Sequence, residues 1–262
     1  MTTSGTFYKG SGIRKPTDLK DEFPKHYDST RFQKRIDHKN MRITVIIPCF
    51  NEANSVTDVI SQLLSTGLDL KEVIVVDDGS TDGTTEVIRR TPGVTLIRHE
   101  RNRGKGAAIR TGLDNASGDA IIIQDADGEY SPKDIPALIK PIAEGKADVV
   151  YGSRFLGSIR DMSTSHLIGN KALTWATEIL YWTRITDVMT GYKVFRRYAL
   201  DGIKLESKGF EFEPEITSRI LRKNIKIVEI PISYSYREKG IAKIGWKDGF
   251  KALWWLIKCR FQ

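Results

Sequence analysis

The sequence predicts an α/β protein, a doubly wound, mostly parallel sheet with helices on both faces. Three observations carry that expectation. Between residues 43 and 154, short apolar runs rich in Val and Ile alternate without a break with segments of helical period. The apolar runs are continuous rather than alternating with polar residues, as strands covered on both faces are. Finally, polar groups follow four of the runs: Asn51/Glu52, Asp77/Asp78, Asp125/Asp127 and Ser153/Arg154. In open sheets of this kind ligands lie outside the carboxyl ends of the strands. The four groups are therefore expected on one rim.

Taken in order, Ile43–Ile47 reads as a buried strand stopped by Pro48. Val56, Val59, Ile60, Leu63 and Leu64 then recur at helical spacing, with Gly67 as the stop. "KEVIVVDDGSTDGT" is a strand and turn, and "TTEVIRRTPG" a helix. "VTLIRHE" is a third strand and "KGAAIRTGLDNASG" a third helix. "DAIIIQDAD" is the fourth strand, "SPKDIPALIKPIAEG" a helix with Pro132 in its first turn, and "ADVVYGSR" the fifth strand. Beyond residue 155 the pattern loosens. "HLIGNKALTWATEILYWT" is a helix, "GYKVFRR" and "KIVEIPISYSYRE" are strands around the helix "FEPEITSRILRKN", and "KIGWKDGFKALWWLIKCRF" is a basic amphipathic tail.

The chain has 262 residues, 40% hydrophobic and 28% charged, which suits one large domain with appendages and excludes a collagen or disulfide scaffold. Three parts are expected: a basic extension over 1–41, a catalytic domain over 42–245 and an amphipathic helix over 246–262. Cys49 and Cys259 lie too far apart for a metal or disulfide spacing and fit a reducing compartment. The start lacks a signal-peptide pattern, and no apolar run approaches the roughly 18 residues that span a bilayer. A soluble or peripherally attached protein is expected. The net charge of +8 calls for an anionic partner: nucleic acid, anionic lipid or a phosphorylated substrate.

"IIIQDADGEYSP" sets Asp125 and Asp127 one residue apart at a strand end, with Glu129 close behind. Like charges so placed suit Mg²⁺ or Mn²⁺ bound beside a phosphate, since such ions take oxygen ligands and need only one or two protein carboxylates. Taken alone, the triplet suits a surface turn equally well. Asp77 and Asp78 leave an apolar strand and would be costly to bury without donors, which a nucleobase or ribose supplies. "HERNRGKGAAIRTG" gathers Arg98, Arg101, Arg103, Lys105 and Arg110 around a Gly-rich helix entry that could hold phosphate. It matches neither the P-loop nor the dinucleotide fingerprint. Most of these cations read as solvated, Lys105 being the exception. Arg154 offers a guanidinium fork for phosphate. Arg237 and Lys243, on a Gly-containing loop, read from spacing alone as exposed charge. The tail, with seven basic residues against two acidic over 237–262, suits docking on an anionic membrane and packing on the domain equally. No Ser–His–Asp or Cys–His arrangement is present, and no nucleic-acid motif.

Together, "IIPCFNEANSV", "VIVVDDGSTDGT", "NRGKGAAIRTG", "DADGEYSP", "YGSRF", "TDVMTGYKVFRR" and "GFEFEPEI" resemble the family 2 glycosyltransferases, most closely the dolichyl- or polyprenyl-phosphate hexose synthases, over about residues 42–250. The resemblance implies the GT-A fold, a nucleotide-sugar donor, a divalent metal and inversion at the anomeric carbon. It assigns Pro48, Phe50, Glu52, Val75 and Asp77 to the donor nucleotide, with Asp78 and Lys105 beside them. Asp125 and Ala126 match donor-contacting positions, Asp127 a metal ligand, and Glu129 a second polar ligand to Mg²⁺ or Mn²⁺. Arg154, Arg237 and Lys243 match cations around the diphosphate and the acceptor phosphate. Relatives often read Asp-Ala-Asp-Leu-Gln where this chain has Gly128-Glu129, which bears on metal preference. Many also append transmembrane helices, of which this sequence shows none.

The expected reaction is hexosyl transfer from a GDP-mannose or UDP-glucose type donor to a polyprenyl or dolichyl phosphate, at the cytoplasmic face of a membrane. That acceptor is already anionic and needs no general base. The alternative, a saccharide or other hydroxyl acceptor, needs a carboxylate base, for which Asp187, Glu211 and Glu213 are the candidates. Nucleic acid is not expected as a partner.

Overall fold

Seven strands form one sheet in the order β3-β2-β1-β4-β6-β5-β7. The computed structural model describes residues 41–160, 162, 164–236 and 246–262. The N-terminal extension up to residue 40, and the loop carrying Arg237 and Lys243, lie outside the described residues. The first half of the chain runs β1 (Ile43–Cys49), α1 (Val56–Leu64), β2 (Leu70–Asp77), α2 (Thr84–Arg89), β3 (Thr95–Arg98), α3 (Lys105–Asn115) and β4 (Ala120–Ile123). A 3-10 turn at Pro132–Asp134 leads into α4 (Ile135–Ala143) and β5 (Val149–Arg160). Then follow α5 (Thr164–Tyr181), β6 (Lys193–Arg196), α6 (Phe212–Arg222), β7 (Ile227–Ser235) and α7 (Trp246–Phe261).

β1 pairs in parallel with β2 and β4, and β2 with β3. β6 runs against both of its neighbours, β4 and β5, while β7 is parallel to β5. The sheet is thus mostly parallel, with one reversed strand set between the fourth and fifth strands of the chain. Nothing in "KVFR" announces that reversal. Its four residues are all buried, as in the parallel strands.

Both sheet faces are covered, as the continuous apolar runs require. Val45 and Ile47 of β1 pack into the cluster under α1 and α4, while Ile46 faces α3 on the other side. Each such fully buried Val or Ile contributes roughly 1.5–3 kcal/mol. β1 runs two residues past its expected end, through Pro48 to Cys49. The reason lies in the ladder. The Ile46 carbonyl accepts from the Gln124 N–H on the β4 side, so Pro48 two residues on faces the same side, where pairing has already ended at Ile46↔Ile123. The missing proline N–H therefore breaks no bond. Leu64, placed by spacing on the buried stripe of α1, is instead 46% exposed, because Val56, Val59, Ile60 and Leu63 complete that stripe.

The tail forms α7 and packs one face on the domain: Ala252 and Leu256 join Leu173 of α5 and Val188 in a small core. Its opposite face is exposed at Phe250, Trp254, Ile257 and Phe261.

α3 lies close on the sheet because Gly112 has no side chain. A Cβ there would stand 2.4 Å from Ile46 Cγ2. Gly112→Ala gains about 1 kcal/mol in helix propensity, but overpacking at a buried branched side chain costs about 1–3 kcal/mol. We expect Gly112→Ala to lower the urea midpoint and Gly112→Val to lower it further. A midpoint unchanged or raised in both would contradict this packing.

Candidate active site

The carboxyl ends of β1, β2 and β4, with the irregular middle of β5, carry the polar groups to one rim. At its centre is the turn after β4. Gln124, fully buried, donates through Nε2 to the carbonyls of Asp125 (3.0 Å) and Tyr130 (3.2 Å) and accepts from Tyr192 Oη. Gly128 takes φ 79°, and the Glu129 N–H donates to Asp127 Oδ1 at 3.1 Å. The turn thus holds Asp125, Asp127 and Glu129 together. Burial, then the charges of Asp125 and Glu129, push the Asp127 carboxyl up to about 7. The repulsion foreseen in the sequence is present, and at Asp127 the protein does not neutralise it. Among the described residues no three His, Cys, Asp or Glu side chains converge as a closed metal cage. An oxygen-only pair with surplus negative charge fits Mg²⁺ or Mn²⁺, which keep waters and substrate phosphates in their shells.

Asp125 is treated differently. Lys105, the first residue of α3, reaches Asp125 Oδ1 at 2.8 Å and Glu213 Oε1 at 2.9 Å. Burial disfavours the ammonium, but Asp125 and Glu213 outweigh it and raise its pKa, so Lys105 stays charged. Glu213 is buried, and its Oε2 has no hydrogen-bond partner. Gly191 makes room for this arrangement, since a Cβ there would meet Asp125 Oδ2 at 2.1 Å.

Arg154, midway along β5, which runs six residues past its expected end at Arg154, is a buried cation in a two-point grip: Nε and Nη2 each stand 2.7 Å from an oxygen of Asp187. Asp187 is fully buried, and its N–H donates to Glu229 Oε1 at 3.0 Å. Burial opposes the charge of Arg154, while Tyr130 and Asp187 raise its pKa. Its guanidinium lies 5.3 Å from the ring of Tyr234, whose hydroxyl donates to Glu129 Oε2 at 2.6 Å. Tyr130 meets Tyr192 at a tilt and Tyr234 edge-on, each with ring centroids 5.2 Å apart, and so joins the carboxylate turn to β6 and β7.

Several sequence assignments sit differently from what residue type suggested. Asp77 is fully buried, and its donors are the chain's own: Ser80 N–H at 2.9 Å and the Thr85 hydroxyl. Asp78 accepts from the N–H groups of Arg103 (2.9 Å) and Gly104 (2.7 Å) and contacts His99 Nδ1 at 2.6 Å. The cost of burial that pointed both toward a nucleoside is therefore met inside the protein. The Gly-rich entry to α3 is likewise engaged. Asp78 takes its leading N–H groups, and Gly104 and Gly106 pack on the backbone of residues 207–209, so it is not an open phosphate cradle. Val75 is fully buried in the core, Ala126 is buried, and Glu52 is buried and accepts from Ser55 Oγ at 2.8 Å. Phe50 is half-buried. Pro48 is buried in β1.

Sequence reasoning missed Lys193 entirely. It is fully buried on β6, donates to the carbonyls of Val188 (3.3 Å) and Thr190, and lies 4.5 Å over the Tyr151 ring. Burial pulls its pKa down to about 8, opposed by Glu213. It pins the segment that carries Asp187 and Gly191. A lysine within an apolar strand was the available signal. Tyr130, Tyr192 and Tyr234 gave none, being ordinary strand and turn residues.

Two outcomes are expected. Lys105→Met leaves two buried carboxylates unpaired and should cost about 3–5 kcal/mol in chemical denaturation, part of which Asp125→Asn restores. For Asp127, the folded pKa is raised from 3.8 to about 7, so metal-free folded protein binds extra protons in that window and loses stability as pH rises through it. Asp127→Asn should then unfold at higher temperature than wild type at pH 8, with the gap closing toward pH 4.

Residues 44–203 match the family described as glycosyl transferase family 2. Over 238 residues the chain is 30% identical to the polyprenol monophosphomannose synthase of Mycolicibacterium smegmatis, covering 84% of this chain and 89% of that one. It is 32% identical to the dolichol-phosphate mannosyltransferase of Pyrococcus furiosus, covering 81% of this chain and 62% of that one. Among solved structures, glucosyl-3-phosphoglycerate synthase from Mycobacterium tuberculosis in complex with Mg²⁺ and uridine diphosphate aligns with a TM-score of 0.70 at 19% identity, over 85% of this chain and 80% of that one. That likeness bears on the fold alone. The chain belongs to glycosyl transferase family 2, as a nucleotide-sugar-dependent glycosyltransferase of the GT-A fold.

Proposed function

We propose that the protein moves a hexose, with inversion, from a nucleotide diphosphate sugar of the GDP-mannose or UDP-glucose type to a polyprenyl or dolichyl phosphate. The observation that carries this acceptor is the engagement of the carboxylates available as bases. Asp187 is locked by Arg154 and fully buried, Glu213 is tied to Lys105, and Glu211 accepts from the Lys208 N–H. A phosphate acceptor needs none of them, since it is anionic at neutral pH. Relatives named for polyprenol monophosphomannose and dolichol-phosphate mannose transfer support the same acceptor class. Structural neighbours crystallised with uridine diphosphate and Mn²⁺ or Mg²⁺ support a nucleotide diphosphate donor and a divalent ion.

In this reading Asp127 and Glu129 would hold the ion, and Mg²⁺ or Mn²⁺ bound there would supply positive charge against the departing diphosphate. Tyr234 fixes the carboxylate of Glu129 from behind. Lys105 holds the Asp125 carboxyl in place beside the donor. Arg154, held by Asp187, gives the rim a fixed cation for phosphate oxygens, a preorganised charge that costs no rearrangement as the reaction proceeds. The sequence resemblance assigns Arg237 and Lys243, which lie outside the described residues, to phosphate as well. Asp77 and Asp78 hold the backbone turns that line the nucleoside, acting as supports behind the pocket.

A panel of nucleotide sugars with Mn²⁺ and a short polyprenyl phosphate, assayed by nucleotide release, tests this. One donor should be consumed, and chelation or Asp127→Ala should remove turnover. Mn²⁺ should raise the melting temperature of wild type but not of Asp127→Asn. Glu213→Gln separates the acceptors: loss of a general base costs roughly 10²–10⁴-fold, whereas a phosphate acceptor should keep its rate within about tenfold. Abolished transfer with donor binding intact would move the assignment to a hydroxyl acceptor.

A further inference from the structure

We propose that a cavity beside α3, away from the active site, is a second binding site, one that takes a small organic phosphate. The cavity holds about 490 Å³, a volume usual for small-molecule sites. Its walls are the second half of α3 and the segment that follows β6. Leu113 on its lining stands eight residues beyond Lys105, so about 12 Å of helix separates the cavity from the cation that holds Asp125. Ile121, also on the lining, lies at the start of β4, and the carboxylate turn follows the other end of that strand. A small ligand cannot span both places.

The cations of the cavity are placed without partners of opposite charge. Arg110 and Arg197 line it and are half-buried. Each is tethered by a main-chain carbonyl: Arg197 Nε donates to Gly118 at 2.7 Å, and Arg110 Nη1 donates to Ser207. Neither forms an ion pair among the described residues. Asp119 feels the charge of Arg197, but its two oxygens are taken by Arg42 at 3.0 and 2.9 Å. Nη2 of Arg197 is shut off from solvent and has no hydrogen-bond partner. Buried donors are nearly always bonded, so an orphan on a charged group points to a missing ion or water. A guanidinium held on one side and unpaired is set to grip an oxyanion at two points.

The remaining lining selects the rest of the ligand. Lys204 brings a third positive charge to the same cavity. Asp114 and Asp201 line it too, but both are exposed, and water screens them. Three cations call for more charge than one carboxylate carries, whereas a phosphate monoester brings close to two. Leu113, Ile203 and Leu205 offer no hydrogen bonds from their side chains and suit an apolar body behind the phosphate. Inorganic phosphate alone would leave them unfilled.

Such a ligand bridges two segments. Arg110 belongs to α3, whereas Arg197 and Lys204 belong to the connection between β6 and α6. That connection already leans on the entry to α3, where the Ala107 N–H donates to the Lys208 carbonyl at 3.2 Å and Gly104 and Gly106 leave room for the chain. An occupied cavity therefore fastens residues 200–209 to α3.

Titration calorimetry of the full chain in EDTA, with phenyl phosphate as the probe, tests the proposal. Phenyl phosphate should bind one to one and at least about tenfold more tightly than inorganic phosphate, because its ring buries apolar surface. Phenol, which lacks the charge, should not bind. Arg197→Gln and Lys204→Glu should each weaken phenyl phosphate about tenfold or more. Lys204 is exposed, so its variant should keep the urea midpoint of wild type and decides the matter if Arg197→Gln fails to fold. Amide hydrogen exchange should slow over residues 200–209 on binding and stay unchanged over residues 124–130. No binding at millimolar probe, or affinity retained in Lys204→Glu, would overturn the proposal. So would equal affinity for phenyl phosphate and inorganic phosphate, or protection that falls on residues 124–130 instead.

Discussion

Ionised groups at the rim of this sheet must each find a partner or carry an unfavourable charge, and how the chain meets that demand decides the rest of the structure. Asp78 is met by the entry to α3, Asp77 by its own turn, Asp125 by Lys105, and Arg154 by Asp187. Apart from the local turn at Asp77, each pairing ties two segments distant in sequence, so the rim is also where the fold is stitched together. Asp127 is the exception: its carboxylate keeps company with two others and is pushed up to about 7. Compensation is therefore withheld at one point of the rim, the turn after β4, and stability is given up there as the pH rises.

How much of this can be read in the sequence depends on the kind of information each feature needs. Periodicity is local, so the alternation of strands and helices over 43–154 and the burial of β1, β2 and β4 on both faces were legible. Residue type and position at a strand end are local too, and they brought Asp125, Asp127 and Arg154 to one rim. Pairing is not local. Whether Asp77 and Asp78 wait for a ligand or are satisfied by Thr85, Arg103 and Gly104 is decided by a turn and a helix entry that the chain reaches only later. The same holds for the tyrosine series and for Lys193, whose role is set by residues across the sheet. The tail was ambiguous for another reason: one side of α7 packs on the domain and the other is exposed, so its composition suits both readings.

The polar network and the apolar surface are connected through short contacts. Lys105 links α3 to α6 through Glu213, and α6 and α7 are joined where Arg222 donates to the Cys259 carbonyl at 2.9 Å. The helices that carry the exposed aromatic residues are therefore fastened to the same framework that orients the carboxylates.

The reversal of β6 has a consequence for how such a pocket can change. Because this strand enters the sheet from the opposite direction, it begins at the rim instead of ending there, and the stretch leading into it, Asp187 to Gly191, is delivered to the pocket as a wall. The wall and the acidic floor after β4 come from segments some distance apart in the chain, approaching from opposite ends. A lineage can thus reshape one side of the pocket by altering the connection before β6, while the acidic floor after β4 keeps its geometry.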